Sequence, residues 1–272
     1  MLKVPHEFQL HVTHSCNLTC EGCTHYMNQG HSGNISLEEA DEWMSNWNTK
    51  VIPKRFTLMG GEPSLHPKLG DFVMLAREKF AHTDIEIVSN GFFLHKHPDL
   101  WKQLIETGTV IGVSVHSQTD PVYVDKFKPV YKLMQDWIKK GVRVELRPSI
   151  VHWQRQYKGF GDKMEPYEDG DPVSSWKNCV SKLCVQLYQG KLWKCPGLTY
   201  LPLQAEKYNL SDKWDLYLKY MPLDKSATRE DIRKFFLRKS EIYCNMCPAN
   251  VEKFKPEDPL LPVSYWKRKY ET

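Results

Sequence analysis

The sequence predicts an α/β fold, an open partial (β/α)6 TIM-like barrel over residues 1–155. A linker over 156–171 and a small β-hairpin and helical extension over 172–272 follow. Three observations carry this. Short apolar runs alternate with helical patterns through the first 150 residues, which is how parallel strands with crossover helices read. Several of those strands have one polar face, which suits a barrel with a wet interior better than a sheet covered on both sides. From about Tyr157 the pattern breaks, and five of the eight cysteines follow.

The elements are justified in order. Residues 8–13 alternate at period two as a strand, with Gln9, His11 and Thr13 on one face. Ser36 and Glu39 form a capping box that opens a helix, whose face carries Leu37, Ala40, Met44 and Trp47. A strand at 55–59, a helix at 67–80 and a strand at 85–89 ending in Asn90-Gly91 come next. A helix at 98–106 stops at Gly108, and a strand at 110–116 sets Ser114 and His116 opposite Val113 and Val115. A helix runs to Lys140, and a fifth strand at 142–147 puts Glu145 and Arg147 on its charged face. A sixth strand is expected near 150–153. The alternative to a shared wet cavity is local pairing, such as Glu145 with Arg147.

Composition narrows the function classes. With 41% hydrophobic and 26% charged residues over 272 positions, the chain is an ordinary globular protein, long enough to bury a core without disulfides. No apolar run reaches membrane-spanning length, and the first residues lack an apolar signal segment, so a cytoplasmic protein is expected. A net charge of +4 spread along the chain reads as solvated surface, with neither nucleic acid nor membrane as partner.

The cysteines are the informative residues. They fall at 16, 20 and 23, then at 179, 184, 195, 244 and 247, with none between. Such clustering reads as metal or redox ligation rather than a disulfide framework. Cys16-Asn17-Leu18-Thr19-Cys20-Glu21-Gly22-Cys23 is a C-x3-C-x2-C run at the C-terminal end of the first strand, the face where strand–helix barrels carry their sites. Three cysteines so spaced can hold three corners of a cubane iron–sulfur cluster and leave one iron open. A structural zinc site completed by His14 or His25 is the alternative.

In the second block, a Gln189-Gly190 turn pairs Tyr188 with Lys191 and sets Cys184 opposite Cys195, close enough for both to ligate one cluster. Cys244-Asn245-Met246-Cys247 supplies a C-x2-C pair. Five distal cysteines thus compete for four places. Hairpin geometry favours Cys184, with Cys179 as the alternative ligand, a buried inert thiol or a hydrogen-atom donor. A zinc ribbon is the competing reading of this block. The late aromatic residues, Trp193, Tyr200, Tyr208, Trp214, Tyr217, Tyr220, Phe235 and Phe236, read as packing.

The first cysteine run, together with Met59-Gly60-Gly61-Glu62-Pro63 after the second strand and Val88-Ser89-Asn90-Gly91 after the third, resembles the motifs of the radical S-adenosylmethionine enzymes over roughly residues 7–153. The resemblance implies a cubane on Cys16, Cys20 and Cys23 whose open iron chelates S-adenosylmethionine. Reductive cleavage to a 5′-deoxyadenosyl radical would then lead to removal of a hydrogen atom from a substrate. It implies that Gly60 and Gly61 let backbone approach the cofactor, that Glu62 or the backbone around it accepts from the methionine ammonium, and that Ser89, Asn90 and Ser114 bind ribose. Gly22 stands where the family usually has an aromatic, so that contact passes to another group, with Tyr26 the candidate.

The distal cysteines resemble the Twitch extension, a shortened SPASM domain holding a second 4Fe-4S cluster; the wider SPASM pattern prefers Cys179 as first ligand. A flavodoxin- or ferredoxin-like electron donor is implied. His116, Arg147 and Arg155 are the substrate-contact candidates. The expected activity is oxidation of a small or carbohydrate-like substrate, such as an aminocyclitol, with the auxiliary cluster taking the second electron. Epimerisation, decarboxylation and peptide modification are the alternatives within this chemistry. A non-catalytic, zinc-stabilised binding module is the alternative outside it.

Overall fold

The computed structural model describes residues 1–148 and 153–271. Five strands, β1 (Leu2–Thr13), β2 (Val51–Gly60), β3 (Asp84–Ser89), β4 (Val110–Val115) and β5 (Val144–Pro148), lie parallel and in sequence order. Helices α1 (Leu37–Ser45), α2 (Leu69–Lys79), α3 (Leu100–Thr107) and α4 (Pro121–Lys139) join them. The Ser36–Glu39 capping box forms as expected, and Gly108 closes α3 at φ 63°, a left-handed position that glycine adopts freely. One core packs these helices against the sheet through residues such as Phe8, Leu10, Phe56, Leu58, Phe72 and Ile87.

The free edge of β1 is covered by the extension. Strand β7 (Cys184–Tyr188) pairs parallel to β1, and β8 (Lys191–Trp193) returns antiparallel, giving a seven-stranded sheet in the order β5-β4-β3-β2-β1-β7-β8. The pairing satisfies backbone groups that an open barrel would leave exposed. The sixth strand expected near 150–153 differs. Residues 150–152 lie outside the described residues, and β6 (Trp153–Gln154) pairs antiparallel with β9 (Lys253–Phe254) in a separate two-stranded sheet.

The stretch read as a linker is packed: Tyr157, Phe160 and Met164 are buried, and Lys158 bridges to Glu165. Tyr157 and Met164 join Trp193, Tyr200, Trp214, Tyr217 and Tyr220 in a second core. This core is built with α6 (Pro196–Lys207) and α7 (Asp215–Leu218), while α5 (Pro172–Asn178) precedes it in the chain and α8 (Arg229–Leu237) sends Phe235 and Phe236 to the first core. The last helix, α9 (Val263–Glu271), buries Trp266. No helix among the described residues is long and apolar enough to cross a membrane.

Candidate functional site

A cleft of about 420 Å³ opens at the C-terminal ends of the parallel strands, within the range of small-molecule sites. Cys16, Cys20 and Cys23 line it, with Gly60, Gly61, Glu62, Ser89, Asn90, Ser114, His116 and Arg147. All three motif segments therefore meet in one place. Burial pushes the Cys16 thiol up to about 12 and raises Cys20 and Cys23 as well. Such thiols become thiolates only when a metal's charge replaces the lost solvation.

The glycines have a reason in the chain itself. A Cβ on Gly60 would strike the Thr13 carbonyl, and one on Gly61 the Ser15 carbonyl. The Gly61 and Glu62 amides donate to those same carbonyls at 2.9 and 2.8 Å. The close approach is thus to the cysteine loop, not only to a bound molecule. Gly61→Ala is expected to cost about 3 kcal/mol, because backbone stands on both sides of the collision and neither can give way cheaply. Urea denaturation against the parent chain measures this.

Glu62 is buried and its carboxylate accepts from Ser64 N at 2.9 Å, the Ser64 hydroxyl, Ser89 Oγ at 2.6 Å and Asn90 N at 2.6 Å. Three of these donors reach Oε1 and one reaches Oε2, so Oε2 keeps an acceptor position. Glu62 thereby locks the ends of β2 and β3 together. The Ser89 hydroxyl donates to Glu62 and accepts from Gly91 N at 2.9 Å. Asn90 Nδ2 donates to Asn17 Oδ1 at 2.8 Å, which ties the end of β3 to the cysteine loop.

The three substrate candidates separate. His116 lines the cleft, its Nδ1 3.4 Å from Cys20 Sγ, and burial holds its pKa down to about 4, so the ring is neutral. Arg147 reaches the cleft but is bound by Glu145 at 2.6 Å and by Glu86, the local pairing that was the alternative reading. Arg155 does not line the cleft. It bonds Glu21 at 2.9 Å and Glu252 at 3.3 Å, and its guanidinium stacks 4.1 Å from the Phe254 ring. Its charge is spent on fastening the chain.

The aromatic beside the third cysteine is also resolved differently. Gly22 sits at φ 76°, and a Cβ there would meet the Phe254 ring at 2.9 Å, so a residue 232 positions away occupies the space. Tyr26 instead lies in the second core at φ 61°, 1% exposed, against Tyr157. Sequence reasoning missed Phe254 for want of any local signal. It also missed Trp153 and Gln154, which line the cleft. The buried nitrogens Trp153 Nε1 and His25 Nε2 have no hydrogen-bond partner there.

The last twenty residues strap the cysteine loop. The Thr19 amide donates to the Pro259 carbonyl at 2.9 Å, Trp266 Nε1 donates to Thr19 Oγ1 at 3.0 Å, and the Tyr270 hydroxyl donates to Glu21 at 3.1 Å.

A second thiol group lies in the extension. The hairpin register is the expected one, with Tyr188 opposite Lys191, but β8 ends at Trp193 and Cys195 turns away to cap α6. Cys184 is held on β7, where it pairs with Glu7 of β1. The cavity in the extension is lined by Cys179, Cys195, Cys244 and Cys247. Cys179, the alternative to Cys184, is the one that lines this cavity, while the edge pairing of β7 holds Cys184 against β1. Among the described residues no three His, Cys, Asp or Glu side chains converge on a single ion site; the thiols surround a space instead.

No curated protein matches the chain in sequence. Among solved structures, BtrN in complex with AdoMet and 2-DOIA is 17% identical over 93% of this chain and 100% of that one, with a TM-score of 0.50. Native anSMEcpe with bound AdoMet and Cp18Cys peptide is 18% identical over 54% of this chain, which spans 44% of that one, with a TM-score of 0.40. Streptococcus suis SuiB bound to S-adenosylmethionine is 12% identical over 71% and 60%, with a TM-score of 0.34. A family model described as the Radical SAM superfamily matches residues 10–150, the span that holds all three motif segments of the cleft, and the chain belongs to that superfamily.

Proposed function

We propose that this chain is an oxidoreductase that binds S-adenosylmethionine and a 4Fe-4S cluster in the cleft, carries a second 4Fe-4S cluster in the extension, and oxidises a C–H bond of a small polar substrate. The observation that carries this is the meeting of three thiols with the Gly60-Gly61-Glu62 and Ser89-Asn90 segments around one cleft that retains unpartnered buried polar atoms. The residues present fit these groups: three clustered thiols leave a fourth iron position open, and four thiols suit a closed cluster. When bound, the cluster and S-adenosylmethionine supply one-electron cleavage of the sulfonium and hydrogen-atom abstraction.

The chain's own residues prepare that chemistry. Asn17 and Asn90 hold the cysteine loop against β3, and Glu62 fixes the two strand ends. His116 stands 3.4 Å from the Cys20 sulfur through Nδ1, and in the tautomer with its proton there it donates to that sulfur, which favours the thiolate. Cys179, Cys195, Cys244 and Cys247 are assigned to the auxiliary cluster. Val180, next to Cys179, lines the first cleft, so the two sites share a wall across which the substrate's second electron would pass. BtrN, which the chain matches nearly end to end, was solved with AdoMet and 2-DOIA, in keeping with a small substrate. A second reading, modification of a peptide, is favoured by an adjoining cleft of about 530 Å³ between residues 115–121 and 255–259 that shares His116.

Anaerobically reconstituted protein is expected to hold about eight irons and matching sulfide per chain, as two cubanes require. Stoichiometric zinc without sulfide overturns the reading. For the reaction class, turnover in deuterated water is expected to leave no solvent label at the reacting carbon. Label at one carbon would assign epimerisation instead.

A further inference from the structure

The basic residues that look scattered in sequence gather around the distal thiols. Lys182 and Lys194 line the thiol cavity, and with Arg238 they line the small cavity beside it, where Glu241 is the acid. Glu241 is paired twice, with Lys194 at 2.8 Å and Arg238 at 2.6 Å. Lys182 Nζ donates to the Lys177 carbonyl at 3.0 Å and Lys194 Nζ to the Lys239 carbonyl at 2.6 Å. This brings two more exposed lysines to the same rim. Exposed apolar side chains lie close by in the chain: Val180, Leu183 and Ile242 are 54%, 43% and 62% exposed, each within four residues of a thiol that lines the cavity. Exposed apolar and basic residues gathered around the thiol cavity have the make-up of a protein-docking surface whose partner is acidic.

Resting on the assignment of a redox centre to Cys179, Cys195, Cys244 and Cys247, we propose that this face docks an acidic one-electron carrier protein. The thiol cavity lies directly beneath it, so a carrier seated there brings its redox centre close. One electron passes between carrier and auxiliary site, the donor oxidised by one and the acceptor reduced by one. The carrier's carboxylates would meet Lys177, Lys182, Arg238 and Lys239, and its apolar tip Val180, Leu183 and Ile242.

The test uses the full, reconstituted chain, a purified acidic flavodoxin as probe and cytochrome c, a basic protein, as control. Flavodoxin is expected to bind and cytochrome c not. Raising ionic strength from about 50 to 300 mM should weaken flavodoxin binding at least tenfold, since screening shortens the reach of exposed charges. Lys177→Glu with Lys239→Glu should weaken it by a similar factor at unchanged iron content. Carboxyl-to-lysine cross-links should map to Lys177, Lys182 or Lys239. Absence of binding, equal binding of both proteins, or cross-links confined to other lysines overturns the docking face. A parent chain lacking iron at the distal thiols sinks the auxiliary-site reading, which is a separate failure.

Discussion

Cys20→Ala is expected to abolish formation of 5′-deoxyadenosine from S-adenosylmethionine under a strong reductant, while Cys247→Ala retains a measurable fraction. The two thiols are equally buried in kind, so the contrast reports site rather than packing. Cys20 stands in the cleft beside His116 and close to Cys16 and Cys23, whose negative charges would push its thiol further up. Losing one of three ligands opens a cluster that already has an open corner. Cys247 belongs to the second cavity, which does not touch the Gly60-Gly61-Glu62 segment. Chromatography of the anaerobic mixture measures both. A fall of at least a hundredfold for Cys20→Ala against less than tenfold for Cys247→Ala is the expected split. Equal loss would mean that the cavities are misassigned, or that the extension is needed for folding, and circular dichroism separates these.

The second large effect separates Cys179 from Cys184. Cys179→Ala is expected to remove close to half of the total iron, since it takes one of four thiols from a closed site, and Cys184→Ala to leave iron unchanged. The reasons are geometric. Cys179 borders the cavity with Cys195, Cys244 and Cys247, whereas Cys184 is locked in the parallel pairing of β7 with β1 beside Glu7. Burial pushes the Cys184 thiol up to about 12, as it does for Cys16 and Cys195, so placement and not acidity separates Cys184 from Cys179. Iron loss from Cys184→Ala, with Cys179→Ala intact, would restore the assignment that hairpin register alone suggests.

These two cysteines show what a sequence carries. The parallel strands, the Ser36 cap and the hairpin turn were legible because each depends on residues a few positions apart. The meeting of three motifs at one cleft was legible because each followed a strand. The fate of Cys184 was not, because it depends on β7 joining the far edge of β1, a pairing without local signature. Arg155 looked like a substrate contact for the same reason: Glu21, Glu252 and Phe254, which use up its charge and its face, are remote in sequence. Phe254 in the space beside Gly22 was beyond reach from spacing alone.

The strap over the first cysteine loop bears on how the protein is made. Thr19 and Glu21 are fixed by residues 240 to 249 positions later, and Gly22 is covered by Phe254. Cys16, Cys20 and Cys23 are synthesised some 240 residues before the contacts that shape their loop. At about 5–20 residues per second that interval is on the order of ten to fifty seconds. Through it the three thiols stand open to oxidants and to stray metal ions, and iron delivered before release would meet an unformed cradle. Cluster insertion therefore belongs after translation.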